Sequence, residues 1–247
     1  MTRQEWIDKC NHWKELWPVK NEQPLTDETS SINIYSVLDA INQYSESTDV
    51  LMGDAGSISY AGPVALNAKE GQRFVFSPAQ ADMGWSLPAS IGVALAGAKQ
   101  VIAITGDGSF MCNMQELAVI KQHNLNIKLV ILNNDGYLSI KNTQSKYFEG
   151  RVFGTGSETG LTFPDFKLLV ESFGLPHVRI SNINDLHKQL PAILSIQSPA
   201  VIEVICTPDQ EILPAQALKD GKQCGLHDMT PFLSDEVLAS EMIVDIK

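Results

Sequence analysis

The sequence has few cysteines and no long apolar run, and each shortage excludes a class of protein. The 247-residue chain contains four cysteines, which stand far apart and form no Cys-x-x-Cys pair: Cys10, Cys112, Cys206 and Cys224. A zinc cluster, a redox pair and a disulfide framework are therefore not indicated. No apolar run approaches the ~20 residues of a membrane span. The first residues lack the apolar stretch of a secretory signal, so we expect a cytoplasmic protein.

Positive charge is also scarce. The chain has 18 Lys+Arg against 29 Asp+Glu, which gives a net charge of −11. Nucleic-acid binding depends on clustered cations, and anionic membrane surfaces repel an acidic protein, so we expect neither partner. The hydrophobic fraction of 44% is typical of a globular chain. A chain of this length buries roughly 70–75% of its unfolded surface, which is enough for a full core.

The patterning divides the chain into three predicted regions: an N-terminal helix and linker (1–30), an α/β domain (31–206) and a C-terminal tail or lid (207–247). In the first region, tryptophans and other apolar residues recur at three- and four-residue steps, which predicts a helix over residues 3–17. Trp17-Pro18 ends it, and the polar stretch at residues 18–30 is predicted to be a linker. The tail shows little periodicity.

Helical and strand patterns alternate in the second region. Helices are predicted at the apolar face from Ile34 to Tyr44 (capped by Ser30 or Ser31) and at 87–98, 110–123, 164–173 and 183–196. Strands are predicted at 49–52, 73–76, 101–105, 127–132, 177–181 and 200–205. This alternation predicts an α/β fold, a doubly wound and mostly parallel sheet with helices on both faces.

Two polar motifs follow consecutive strands of this predicted sheet. Gly106-Asp107-Gly108-Ser109 follows one buried strand, and Asn133-Asn134-Asp135-Gly136 follows the next. Because the carboxyl ends of parallel strands meet at one edge of the sheet, we expect Asp107 and Asn134 to point into the same crevice. Either motif alone is a common turn, so the pairing carries the inference.

The residue types in this pair suit a cation and a phosphate. Carboxylate and amide oxygens are ligands that Mg²⁺ prefers, and Gly136 can add a backbone carbonyl. Gly106 and Gly108 are expected to adopt positive φ and to let the backbone approach a ligand. Ser109 is expected to open a helix whose N-terminus faces a phosphate. A P-loop lysine and a dinucleotide Gly-x-Gly-x-x-Gly pattern are both lacking. The residues therefore predict a Mg²⁺–diphosphate site.

The same residues resemble the thiamine diphosphate motif, in which Gly-Asp-Gly is followed some 25–30 residues later by Asn-Asn. More narrowly, residues 30–235 resemble the C-terminal, diphosphate-binding domain of acetolactate synthase-like enzymes. The matching stretches are Ala81–Gly92, Gly108–Leu117 and Asn134–Ile140. The resemblance implies the thiamine diphosphate-binding fold, with thiamine diphosphate and Mg²⁺ as cofactors.

The resemblance also implies site residues. The metal ligands are Asp107, Asn134 and the carbonyl of Gly136. The implied cofactor-binding set comprises Gly56, Ser57, Asp82, Met83, Gly106, Asp107, Gly108, Ser109, Asn134, Gly136, Tyr137 and Leu138. Within it, Met83 is the apolar wedge that holds the two cofactor rings in a bent conformation. No residue of this chain is assigned as catalytic.

The implied function is that of the diphosphate-binding half of a thiamine diphosphate-dependent 2-oxo acid decarboxylase or carboligase, a lyase or transferase. Such an enzyme needs a pyrimidine-binding domain, whose glutamate contacts the cofactor. We expect that domain in a separate chain or in a longer polypeptide, because the start at Met1 resembles a cut at a domain junction. A homo-oligomer is also implied. Gly56-Ser57 and Ile140-Lys141-Asn142 depart from the family pattern, where Gln-His and a tryptophan stand, and leave the substrates open.

Two other functions stay open on the sequence alone. The chain could be a non-catalytic cofactor-binding or regulatory module that associates with an active homologue. It could instead be a Mg²⁺-dependent phosphatase with Asp107 as nucleophile and Asp135 as the only obvious further acid. The histidines show no metal-ligand spacing. His227 is of interest because the equivalent tail can fold over the active site in the family that the chain resembles.

Overall fold

The computed structural model describes residues 1–19, 31–77, 79–219 and 221–244. The chain divides into two compact units, Met1–Gln210 and Glu211–Lys247. The linker predicted at residues 18–30 falls almost entirely outside the described residues. No helix in the described ranges is both long and apolar enough to span a membrane.

Alternating helices and strands make up the first unit. Its helices are α1 (Arg3–Leu16), α2 (Ile34–Tyr44), α3 (Ser57–Ala65), α4 (Ser86–Leu95), α5 (Asp107–Asn113), α6 (Leu117–His123), α7 (Leu138–Tyr147), α8 (Phe166–Ser172) and α9 (Ile183–Leu194). Its strands are β1 (Val50–Gly53), β2 (Arg73–Val75), β3 (Val101–Gly106), β4 (Ile127–Asn133), β5 (His177–Ile180) and β6 (Ala200–Ile205). Short 3₁₀ turns occupy Met114–Glu116 and Ser157–Thr159.

The strands form one six-stranded sheet in the order β2-β1-β3-β4-β6-β5, and every neighbouring pair is parallel. The predicted α/β class with a parallel sheet is thereby confirmed. After β2 the chain returns to the other side of β1 to form β3, so the order of strands reverses between β1 and β3. Ligands of open α/β sheets bind at such a reversal, outside the carboxyl ends of the strands.

Apolar side chains bury both faces of the sheet. On one face, strand residues pack against α4, α5, α6 and α8, and the cluster includes Met52, Ala103, Leu129, Val201, Leu87, Phe110, Leu117 and Phe166. Strand side chains alternate between faces, so Ile102, Val130 and Ile202 point the other way, and these are also fully buried. Helices α2, α3 and α9 pack together on that second face.

Helix α2 begins later than predicted. Its N-cap is Asn33, whose side-chain oxygen accepts the Tyr35 N–H at 2.8 Å, and not Ser30 or Ser31. The physical reason is that Ile32 is still extended and pairs with Cys206 beside the end of β6. The chain can turn into a helix only after that pairing ends.

The prediction of one helix over residues 110–123 is wrong in two respects. It begins at Asp107, directly after β3, so Ser109 lies within the first turn and does not open the helix. It is also interrupted by the 3₁₀ turn at Met114–Glu116, which separates α5 from α6. The periodicity continues across this break, which is why the sequence did not reveal it.

The second unit contains structure that its weak periodicity did not predict. Strands β7 (Leu218–Lys219) and β8 (Lys222–Gln223) pair in antiparallel orientation. Helix α10 (Asp235–Glu241) follows, and the hydroxyl of Ser234 caps it by accepting the Val237 N–H.

Phe110 anchors helix α5, which follows β3, to the hydrophobic core. Its ring lies edge-on to Phe166 with centroids 5.4 Å apart, and both side chains are only 1% exposed. We predict that Phe110→Ala lowers the free energy of unfolding by about 3–5 kcal/mol, because it leaves a cavity in the core. Phe153, which is 83% exposed, gives a matched control: Phe153→Ala should leave urea denaturation nearly unchanged. Similar losses in both variants would contradict the assignment of Phe110 to the core.

Candidate functional site

A cavity that is partly open to solvent lies at the carboxyl edge of the sheet where the strand order reverses. Its walls come from the segments that follow β1, β3 and β4, with Met83 from the loop before α4. The lining residues are Ile34, Ala55, Gly56, Ser57, Ile58, Met83, Gly106, Asp107, Gly108, Ser109, Leu132, Asn134, Gly136, Tyr137, Leu138, Ser139 and Ile140. Both polar motifs therefore reach one cavity.

Three helices begin at this cavity: α3 at Ser57, α5 at Asp107 and α7 at Leu138. Each starts without a hydrogen bond from an N-cap side chain. Side chains cap α1, α2, α8 and α9, whereas α4 and α6, which begin elsewhere, also lack such a bond. Uncapped N–H groups and the positive ends of helix dipoles favour an anion. The cavity is therefore electrostatically suited to phosphate oxygens despite the acidic chain.

Asp107 is the buried carboxylate of the cavity, with 1% exposure. One oxygen accepts the Gly108 N–H at 2.7 Å, and the other accepts the N–H groups of Asn134 at 3.0 Å and Gly136 at 3.1 Å. Burial raises the pKa of Asp107 to about 6, although the N–H groups of Gly136, Gly108 and Asn134 lower it. Burial thus disfavours the ionised carboxylate, and a nearby positive charge would favour it.

Asn134 supplies an oxygen that has no partner within the described residues. Its side chain is 8% exposed, and the amide Oδ1 is buried and accepts no hydrogen bond there. A buried acceptor without a donor is costly, and a bound cation would satisfy it. Asp107 and Asn134 thus offer a carboxylate and an orphaned amide oxygen to one cavity, a donor set that fits Mg²⁺.

Two glycines of the motifs are required by packing. A Cβ on Gly136 would lie 2.0 Å from the carbonyl oxygen of Thr155. A Cβ on Gly108 would lie 2.2 Å from Cε1 of Tyr137, so the tyrosine ring occupies that space. The expectation of positive φ at Gly106 and Gly108 is wrong: Gly106 has φ −82°, and neither glycine is among the residues with positive φ. Gly108 is needed for the close approach of Tyr137.

The structure brings together every predicted cofactor-binding residue except Asp82. Asp82 is exposed, and its carboxylate accepts the Ser77 hydroxyl at 2.9 Å. Met83 lines the cavity with 41% of its surface exposed, so an apolar group can contact it. His227 belongs to the second unit.

Sequence reasoning missed Asp54, which is 4% exposed and follows β1. Its oxygens accept the N–H groups of Ala55 and Trp85 and the hydroxyls of Ser86 (3.1 Å) and Thr105 (2.6 Å). Burial raises the pKa of Asp54 despite these bonds. The carboxylate joins the end of β1 to β3 and to the start of α4. The signal was available, because Asp54 follows a strand just as Asp107 does.

Among the described residues, no cluster of acids surrounds Asp107. No group of three or more His, Cys, Asp or Glu side chains suited to a metal occurs in the ranges that the structure describes. Asp135 is exposed and its carboxylate accepts the Ser157 hydroxyl instead. This arrangement disfavours the phosphatase reading, which needs further acids beside Asp107. A cation here would depend on one carboxylate, on neutral oxygens and on the oxygens of its ligand.

Comparison with known proteins bears on this geometry. The family described as "Thiamine pyrophosphate enzyme, C-terminal TPP binding domain" matches residues 54–204; thiamine pyrophosphate is another name for thiamine diphosphate. The chain is 27% identical over 212 residues to the acetolactate synthase large subunit of Cyanidium caldarium, which covers 85% of this chain and 35% of that protein.

Other relatives agree. The acetolactate synthase large subunit of Lactococcus lactis is 28% identical over 223 residues, which is 88% of this chain and 38% of that protein. The acetolactate synthase of Arthrospira platensis is 33% identical over 147 residues, which is 59% of this chain and 25% of that protein. The chain spans about a third of the length of these curated relatives.

The contact at Gly136 gives a prediction about the turn after β4. Gly136→Ala should lower the free energy of unfolding by about 1–3 kcal/mol, because the methyl group meets the Thr155 backbone, which cannot move aside cheaply. Gly92→Ala is the control, since a Cβ at Gly92 within α4 meets nothing within 4 Å. That variant should be neutral or stabilising. Equal stability of both variants in urea denaturation would contradict the packing argument.

Proposed function

Because the chain belongs to the family of thiamine pyrophosphate enzyme C-terminal TPP-binding domains, we propose that its cavity binds Mg²⁺ and the diphosphate of thiamine diphosphate. We further propose that it acts as the diphosphate-binding half of an acetolactate synthase-like 2-oxo acid decarboxylase or carboligase. One observation carries the proposal: buried Asp107 and Asn134, whose Oδ1 has no partner among the described residues, both line the cavity at which three uncapped helices begin.

Different residues of the chain would bind the cation, the phosphates and the apolar part of the cofactor. Asp107 and Asn134, with the carbonyl of Gly136, would hold the cation. The first turns of α3, α5 and α7 would donate N–H groups to phosphate oxygens. Met83, exposed at the cavity, would pack beneath the apolar part of the cofactor. A cation held by these residues would offset the negative charge that an acidic chain otherwise presents to a diphosphate.

When bound, thiamine diphosphate supplies the electron sink for loss of CO₂ from a 2-oxo acid. The chain covers about a third of its acetolactate synthase relatives, which supports our proposal that a pyrimidine-binding domain must complete the active site. That domain would come from another chain or another part of a longer polypeptide, and assembly as a homo-oligomer remains part of the proposal.

A second candidate is a cofactor-binding module without turnover. It is favoured because, among the described residues, no glutamate lines the proposed cofactor cavity. Without a second domain to supply that glutamate, the chain would bind the cofactor without turnover. Adding a pyrimidine-binding domain from an acetolactate synthase relative and measuring CO₂ release from pyruvate separates the two: release supports the enzyme, and none supports the module.

The binding proposal predicts different results for two aspartates of the site region. Asp107→Asn should weaken Mg²⁺-dependent binding of thiamine diphosphate at least ~100-fold, because the cation loses its one carboxylate ligand. Asp135→Asn removes the same charge from an exposed side chain and should change binding less than about threefold. Isothermal titration calorimetry with circular dichroism on each variant tests this. Equal binding by wild type and Asp107→Asn would overturn the proposal.

The raised pKa of Asp107, about 6, predicts a pH dependence. Protons compete with Mg²⁺ for the carboxylate below that pKa, so affinity for Mg²⁺ should fall as the pH falls. Between pH 7 and pH 5 the apparent affinity should drop about tenfold, whereas a carboxyl with an ordinary pKa of about 3.9 would cause almost no change. Calorimetry of Mg²⁺ binding at saturating thiamine diphosphate measures the slope. A flat profile over this interval would exclude Asp107 as the titrating ligand.

A further inference from the structure

A buried cluster of charges lies under the turn that carries Asn134, outside the cavity itself. Its centre is Glu203 on β6, which is 1% exposed. One carboxylate oxygen, Oε2, lies 2.9 Å from Nε2 of His177 and accepts the Arg179 Nε–H at 2.9 Å, both from β5. The other oxygen, Oε1, accepts Nδ2–H of Asn133 at 2.7 Å, from β4. The carboxylate therefore joins three neighbouring strands.

These donors keep Glu203 ionised inside the protein. Burial by itself would raise the pKa of Glu203, but the hydrogen bonds from His177, Arg179 and Asn133 lower it to about 2. A buried charge persists only where hydrogen bonds satisfy it. Because His177 and Arg179 both contact Oε2, Oε1 is left to accept the hydrogen bond from Asn133.

Glu203 thereby decides which end of the Asn133 amide faces the turn. A carboxylate accepts and does not donate, so the amide NH₂ must point toward Glu203. The amide oxygen is then directed to the other side, where it accepts the Asp135 N–H at 3.1 Å. Rotating the amide by half a turn would set its oxygen against the carboxylate and its NH₂ against an N–H donor.

The hydrogen bond from the Asp135 N–H to Asn133 stabilises an unusual backbone conformation. Asp135 has φ +58°, a left-handed conformation that few non-glycine residues adopt unaided. An asparagine side-chain oxygen that accepts the N–H two residues further along the chain stabilises such a turn. The turn then directs the N–H groups of Asn134 and Gly136 toward Asp107.

We infer that Glu203 is a positioning residue, which sets the metal-binding turn through the amide of Asn133. The inference rests on the proposed function, since it concerns the geometry of the proposed ligand Asn134. It gives the first asparagine of the Asn133-Asn134 pair a role: Asn133 orients the turn, and Asn134 offers its oxygen to the cavity.

A reversal of the hydrogen bond between positions 133 and 203 tests the inference. Asn133→Asp places a carboxylate against Glu203 and should disturb the turn. Adding Glu203→Gln should restore it, because the introduced amide can donate to the introduced carboxylate while its oxygen accepts from His177 and Arg179. The introduced carboxylate can still accept the Asp135 N–H.

The measurement is the Mg²⁺ concentration that gives half-saturation of thiamine diphosphate binding. Asn133→Asp should raise it about 10–100-fold, the usual effect of losing an outer partner of a metal ligand. The double variant should return to within about threefold of the wild type. If Asn133→Asp alone does not fold, Asn133→Ala, which removes the amide without adding a charge, replaces it as the single variant, and its requirement should rise similarly.

A control variant and a second measurement separate positioning of the turn from general stability of the protein. Arg179→Gln removes a partner of the opposite oxygen, Oε2, and should lower the melting temperature with less than a twofold change in the Mg²⁺ requirement. Hydrogen exchange of residues 133–137 without cofactor should be faster in Asn133→Asp than in the wild type and slow again in the double variant.

The outcomes distinguish the inference from the proposed function. Wild-type binding with an unchanged requirement in the single variant, or with no recovery in a folded double variant, would overturn the inference alone. Absence of Mg²⁺-dependent binding by the wild type would overturn the proposed function and the inference with it.

Discussion

The cavity depends on the hydrogen bonds that the Asp107 carboxylate accepts across the carboxyl ends of β3 and β4. One oxygen is bound by the first turn of α5, and the other by the turn after β4. Without this carboxylate the two polar motifs would be separate turns that happen to be neighbours. The cost of burying the charge appears in its raised pKa, and a bound cation would offset that cost. The group that organises the cavity is thus the group that most favours an incoming positive charge.

Two further buried carboxylates extend this arrangement along the same edge of the sheet. Asp54 joins β1 to β3 and to the start of α4, while Glu203 joins β4, β6 and β5. Together with Asp107 they connect the strand ends from β1 to β5. Parallel strands have no tight hairpins at this edge, so side-chain hydrogen bonds must fix the positions of the loops. Three ionised or ionisable groups, each with several donors, perform that task where apolar packing gives way to a polar cavity.

The sequence predicted the strands, and the convergence of the two polar motifs on one cavity, because both leave strong local patterns. Strands buried on two faces, such as Ile127–Asn133, appear as continuous β-branched and apolar runs, and Asp107 and Asn134 stand directly beyond them. Helices α3 and α7 were missed for different reasons. Pro63 and Gly62 stand inside α3, and α7 is mostly polar with only Leu138 buried. The sequence could not predict the role of Gly108 either, since the ring that needs its space belongs to Tyr137, 29 positions later in the chain. Contacts of that kind depend on tertiary structure alone.

The lack of N-cap side-chain hydrogen bonds at α3, α5 and α7 has a consequence for protein engineering. Placing Ser, Thr or Asp at an N-cap is among the most dependable ways to stabilise a helix, commonly by ~1 kcal/mol. At Gly106, the N-cap of α5 with an extended backbone, the same replacement would direct a side-chain oxygen to the N–H groups that a phosphate would use. At Gly56, the N-cap of α3, any side chain would be strained because φ is +62°. A more heat-resistant form of this domain must therefore be sought at other helix ends.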